Sequence, residues 1–164
     1  MKTATATLLA TALVAASSLA TAAALPEHHP QLLLSPANTI VGTWEFRARL
    51  FVCATGQTLQ SIRASSVFNA GGTMLDTNTA PPSTRGPGFG IWTYDPQTRS
   101  YAVQMRLYRY NADGSFAGVA QVRRTLRLSA SGDSATGTIA GQILGPNEEL
   151  LASTCGEETG VRAL

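Results

Sequence analysis

The chain has 164 residues, a formal net charge of +2 and 13% charged residues, and its single lysine is Lys2. That near-neutral balance excludes the basic footprint of a nucleic-acid partner, since only Arg123, Arg124 and Arg127 cluster. With no lysine beyond Lys2, Walker-type phosphate binding and Schiff-base chemistry are excluded too.

Lys2 precedes an apolar run rich in Ala and Leu that closes with Ala22-Ala23-Ala24. This pattern predicts a signal peptide over residues 1–24 and a secreted or periplasmic destination. A retained membrane anchor fits less well, because Ala and Thr dilute the run and small residues close it. No membrane span is expected in the mature chain. Residues 25–38 carry Pro26, Pro30 and Pro36 and read as an irregular leader. His28 and His29, beside Glu27, read as solvated leader rather than a metal site. Residues 39–164 have the length of one domain with a real core.

From Val41 onward the residues alternate, with almost no helical period. Trp44, Phe46, Ala48, Leu50 and Val52 share one face of a first strand, about residues 41–53. A second strand, about residues 58–69, points Ile62, Ala64, Ser66 and Phe68 inward. Asn69 to Gly72 is a hairpin signal, and a short third strand follows from Thr73 to Thr77. Residues 78–88 are the least regular stretch, with Pro81, Pro82 and Pro87. They make the best candidate for a lid. The glycines of RGPGFGIW (Gly86, Gly88, Gly90) suit the start of a strand better than a phosphate cradle, which should open a helix. The fourth strand is expected over about residues 89–94 and the fifth from Ser100 to Asn111. The sixth runs from Phe116 to Leu128, the seventh from Ala135 to Ile143 and the eighth from Glu149 to Cys155. Residues 156–164 suggest no element.

Eight strands joined by short turns predict an all-β fold, an eight-stranded antiparallel up-and-down barrel. A membrane barrel would put Arg47, Arg49, Arg63 and Arg123 against lipid, so it is disfavoured. Cys53 and Cys155, an even pair in an exported chain, are expected to form a disulfide. Strands one and eight would be antiparallel neighbours, which puts their C-terminal ends at opposite rims. The bond then requires the chain after strand eight to bend back, or a shorter strand one.

Gly42-Thr43-Trp44 matches the G-x-W signature of the lipocalin group. Phe68, Gly71, Gly72 and Thr73 follow it, then Gly88, Gly90 and Trp92, then the hairpin Tyr110 to Gly114. Over about residues 40–156 the chain resembles small secreted bacterial lipocalin-like (calycin-type) domains. The resemblance implies a barrel with a tryptophan plugging one end and an interior able to take an apolar ligand. It also implies an arginine after the last strand stacked over that tryptophan, for which Arg162 is the sole candidate. The T-D-Y motif of true lipocalins is missing.

No nucleophile elbow, domain histidine or metal-ligand cluster occurs, so no catalytic set, metal or cofactor is expected. Asp76, Asp95, Asp113 and Asp133 fall at strand ends or turns, where Asp is ordinary. Glu148-Glu149 and Glu157-Glu158 read as solvated surface. Arg124 faces inward if Val122, Leu126 and Leu128 do. On strand five either Arg106 and Tyr108 face inward, or Val103, Met105 and Leu107 do. An inward arginine needs a partner, either a ligand anion or a protein acid. The expected function is an exported barrel that binds a small apolar or amphipathic molecule. Trp44, Phe46, Phe68, Trp92, Arg106, Tyr108 and Arg124 are its candidate ligand-binding residues, the arginines orienting any anionic group. The alternatives are a barrel-type isomerase or cyclase, and a packed structural or interaction domain.

Overall fold

The computed structural model describes residues 39–163. The expected signal peptide and leader, residues 1–38, lie outside the described residues.

Eight antiparallel strands close into one barrel in sequence order. They are β1 (Gly42–Val52), β2 (Thr58–Phe68), β3 (Thr73–Asn78), β4 (Arg85–Asp95), β5 (Ser100–Tyr110), β6 (Phe116–Leu128), β7 (Ser134–Leu144) and β8 (Leu150–Arg162). A single 3-10 turn, Pro82–Thr84, interrupts the β3–β4 connection. Alternation is the reason for the fold: Trp44, Phe46 and Ala48 are buried while Glu45, Arg47 and Arg49 between them are exposed. Arg47, Arg49, Arg63 and Arg123 all stand exposed. No helix among the described residues is long and apolar enough to cross a membrane.

Two strands differ from the sequence reading. β4 begins at Arg85, not Phe89, with a register shift between Arg85 and Gly88. Pro87 falls inside that irregularity, where a missing N–H is tolerated. The irregular stretch therefore shrinks to residues 79–84. β8 continues through Arg162, where no element was expected after Cys155. Its inward positions there are Gly156, Glu158 and Gly160, all buried. Two glycines and a glutamate on the core face hide the alternation that identifies a strand.

The longer β8 also answers the disulfide question. β1 and β8 close the barrel in a register that places Phe51 opposite Cys155. Cys155 therefore lies within β8, close to the end of β1. The Cys53–Cys155 disulfide joins Cα atoms 5.0 Å apart. Neither a bend after β8 nor a shorter β1 is needed.

The core is not spread evenly. Ile40, Trp44, Phe46, Phe68, Met74, Trp92, Tyr101, Val103 and Leu126 pack together at one end. This end collects the starts of β1, β3, β5 and β7 and the finishes of the strands between them. Trp44 is its plug. Its indole N–H donates to the Ile40 carbonyl at 2.8 Å, and the Arg162 guanidinium stacks 4.6 Å from its ring. Arg162 also donates to the carbonyls of Val41 at 2.8 Å and Gly132 at 3.0 Å. The arginine implied by the lipocalin resemblance is thus in place, and it ties three segments over the closed end.

Glycines on β8 make room for this plug. A Cβ on Gly160 would lie 2.4 Å from the Phe46 ring. Gly160→Val should therefore cost about 1–3 kcal/mol by overpacking. The outward Thr159→Val should change little, and urea unfolding of the two variants measures the difference. Equal midpoints would show that the closed end has slack.

Candidate functional site

The opposite end is hollow. A cavity of about 540 Å³ occupies the half of the barrel reached by the β1–β2, β3–β4, β5–β6 and β7–β8 connections. Its walls are largely aliphatic, with Leu50, Ile62, Leu107, Val122, Ile139 and Ile143 among them. Asn78, Ala80 and Thr84 bring the β3–β4 connection to its border. That connection is held locally: Ala80 donates its N–H to Asn78 Oδ1 at 2.9 Å, and Thr84 to the Pro81 carbonyl at 2.9 Å.

Charged side chains separate the hollow half from the packed half. Arg124, 4% exposed, grips Glu158, 5% exposed, through two bonds. Nε–H donates to Oε1 and Nη2–H to Oε2, both at 2.8 Å. Nη1–H donates to Ser66 Oγ at 3.1 Å, and the guanidinium lies 4.2 Å from the centre of the Phe46 ring. The Ser66 hydroxyl in turn donates to Asp76 Oδ2 at 2.9 Å. Arg85 donates from Nη2 to Asp76 Oδ1 at 2.6 Å. The result is one connected group of two arginines, two carboxylates and a serine.

Such a group is tolerable only because its charges pair with one another, since an isolated buried charge is very costly. Gly88 and Gly137 make space for it. A Cβ on Gly88 would sit 3.1 Å from Asp76 Cβ, and one on Gly137 would sit 3.1 Å from Glu158 Oε1. This is a use for Gly88 in the RGPGFGIW stretch. Burial pushes the Glu158 carboxyl above its ordinary range. The Arg124 charge and hydrogen bonds oppose that rise, and the nearby Asp76 charge adds to it.

The candidate residues divide. Trp44, Phe46, Phe68 and Trp92 belong to the packed end. Arg124 faces inward and borders the cavity, but its bidentate partner is Glu158. Arg106 and Tyr108 lie on the outer face. Arg106 pairs there with Glu148 at 3.2 Å, and Tyr108 is 57% exposed. Val103 and Leu107 are buried instead, and Met105 packs against the core. On β5 the apolar set won the interior, as transfer energetics favour.

Sequence reasoning missed Asp76, Arg85 and Glu158. Asp76 is not a strand-end residue but a buried member of β3, 5% exposed. Glu158 is not solvated surface but the partner of Arg124. The signal was available in part. Ser66 and Arg124 fall on inward positions by alternation, and an inward arginine requires an inward acid.

No family model matches the chain, and no curated protein matches it. Among solved structures it is similar to the S-type phycobiliprotein lyase of Guillardia theta. The likeness covers 77% of this chain and 89% of that one, at 11% identity and a TM-score of 0.41.

Proposed function

We propose that the protein is an exported carrier whose open half holds one small, mainly apolar molecule with an anionic group. The observation that carries this reading is the uneven interior. One half of the barrel is packed solid, while the other encloses about 540 Å³ behind aliphatic walls. Small-molecule sites commonly span roughly 300–1,000 Å³ and combine apolar walls with a few placed polar groups. A solidly packed structural barrel would not leave that volume open. Export is supported by the Cys53–Cys155 disulfide, because such bonds persist in oxidising compartments.

The enclosed carboxylates do not favour an enzyme over a carrier. Asp76 and Glu158 are each held by arginine, so neither is poised as a free acid or base.

The test uses N-phenylnaphthylamine, an uncharged apolar fluorophore, together with native mass spectrometry of the protein from its own cells. The probe should brighten on binding, and a small molecule should accompany the purified protein. Ile139→Trp places an indole in the cavity and should weaken probe binding by tenfold or more. Its thermal midpoint should stay near that of the parent. Unchanged affinity in a folded Ile139→Trp variant would remove the cavity as the binding site.

A further inference from the structure

The sequence points to Arg124 as the group that would orient a ligand anion. The geometry points to a different pair. Arg124 already spends two N–H groups on Glu158 and one on Ser66. Arg85 does not have its donors filled. Its side chain is 7% exposed, it borders the cavity, and its Nε–H is buried with no partner in the structure. Buried donors are almost always satisfied, so one that is not needs an explanation.

A second observation points the same way. In the β4–β5 register Arg85 lies directly opposite Arg109, and Arg109 also borders the cavity. Like charges in directly opposed positions on one sheet face repel. Of these two arginines only Arg85 has an acid beside it, Asp76. Among the described residues no carboxylate lies within ion-pair distance of Arg109. Three arginines and two carboxylates border the cavity, so one positive charge there has no counter-charge. It lies at the open end beside the residue 79–84 connection, since Arg85 follows the Pro82–Thr84 turn directly.

We infer that Arg85 and Arg109 together form an oxyanion site, and that the ligand is an amphipathic monoanion. Its carboxylate, sulfonate or phosphate oxygens accept from Arg85 Nε–H and from Arg109. Its apolar body lies along the aliphatic walls. The inference rests on the carrier reading and deepens it, since it names the ligand's charge and where that charge is held. A ligand oxygen would satisfy the orphaned donor, screen the two guanidinium groups from each other and supply the missing charge. Charge-assisted hydrogen bonds of this kind are the strong ones.

The experiment compares two fluorophores that differ by one group. Anilinonaphthalene sulfonate carries an anion; N-phenylnaphthylamine has the same rings without it. The parent should bind the sulfonate about tenfold more tightly, the factor a charge-assisted contact supplies. Arg109→Gln removes a charge outside the connected ion group. It should abolish that preference while leaving N-phenylnaphthylamine affinity within about twofold. Arg85→Lys keeps a cation for Asp76 but deletes Nε–H, and should lower the preference as well. Competition by decanoate, decyl phosphate and decanol separates the anion types. The two anions should each displace the sulfonate better than the alcohol, and the stronger of them identifies the head group. Equal affinity of the parent for both fluorophores would overturn the oxyanion site and leave the carrier standing. So would a sulfonate preference that survives in both variants. Failure of both fluorophores to bind would overturn the carrier reading and this inference with it.

Discussion

Truncating Glu158 to alanine is expected to cost about 3–5 kcal/mol of folding stability, the scale for breaking a buried ion pair. The cost comes from what remains behind. Arg124 would keep Ser66 at 3.1 Å and a distant Asp76 at 3.9 Å, with no acid in its bidentate grip. Replacing both partners tells the opposite story. Arg124→Met with Glu158→Leu removes both desolvation penalties and should come out close to the parent, or above it. Urea unfolding of Arg124→Met, Glu158→Leu and the double variant completes a cycle. A double variant as unstable as Glu158→Ala would show that the pair is a net stabiliser.

The pH dependence follows from the same physics. Burial raises the Glu158 pKa above its ordinary 4.5, so the folded protein holds this proton more tightly than the unfolded chain does. The contribution to stability is complete below the unfolded value. It is lost as pH rises from there through the folded pKa, and stays at the lower level above it. Glu158→Gln cannot titrate. The parent should therefore lose stability relative to Glu158→Gln as the pH rises above about 4.5, then hold a constant difference. A gap that widens as the pH falls through the unfolded value would mean that Arg124 outweighs burial. The raised pKa and the expected near-neutral double replacement share one cause, the burial of the Glu158 carboxyl. Burial opposes the ionisation of Glu158 and the Arg124 charge and hydrogen bonds work against that rise, so the buried arginine is the reason an acid stands at this position.

The closed barrel was legible because its strands repeat apolar and polar residues with period two. Trp44, Phe46 and Ala48 on β1 and Ser66 and Phe68 on β2 lie where alternation places them. The second half of β8 was not legible, since its core face is Gly156, Glu158 and Gly160 and its outer face carries Val161. There the pattern runs backwards for a local reason. Gly160 yields its volume to Phe46, Gly156 yields to Leu50, and Glu158 answers an arginine two strands away. None of those neighbours is near in sequence. Strand five was ambiguous from alternation alone, because Tyr108 and Arg106 on one face and Met105 and Leu107 on the other both read as plausible interiors. Only the closed barrel decides it, by offering β5 an apolar cluster at one end and Glu148 outside. Arg85 was hidden by Pro87, which made the start of β4 look like loop.

Removing the disulfide should be the other large change. Cys53 and Cys155 are 102 residues apart, and cross-linking a loop of about 100 residues removes some 4–5 kcal/mol of unfolded-chain entropy on the chain-entropy model. The bond spans the first and last strands of the barrel, so nearly the whole meander lies inside the loop it closes. It also sits beside the final rung of the β1–β8 seam, where Val52 faces Thr154. A Cys53→Ala, Cys155→Ala protein should still close, because the seam keeps its register from Trp44 to Val52. It should melt about 15–20 °C lower, taking roughly 4 °C per kcal/mol for a domain of this size. Reduction of the parent should produce the same shift. Two further readings separate the cause from simple loss of a contact. The urea m-value should rise, since an unlinked unfolded chain exposes more surface. Amide exchange should quicken most at the slowest amides of the packed end, around Trp44, since these open only by global unfolding and report the lowered global free energy. An unchanged m-value with exchange quickened only near Val52 and Thr154 would instead place the stabilisation in the native barrel. Because the bond lies at the open rim, its loss would then loosen the cavity mouth as well as the fold, and fluorophore affinity would fall along with the melting temperature.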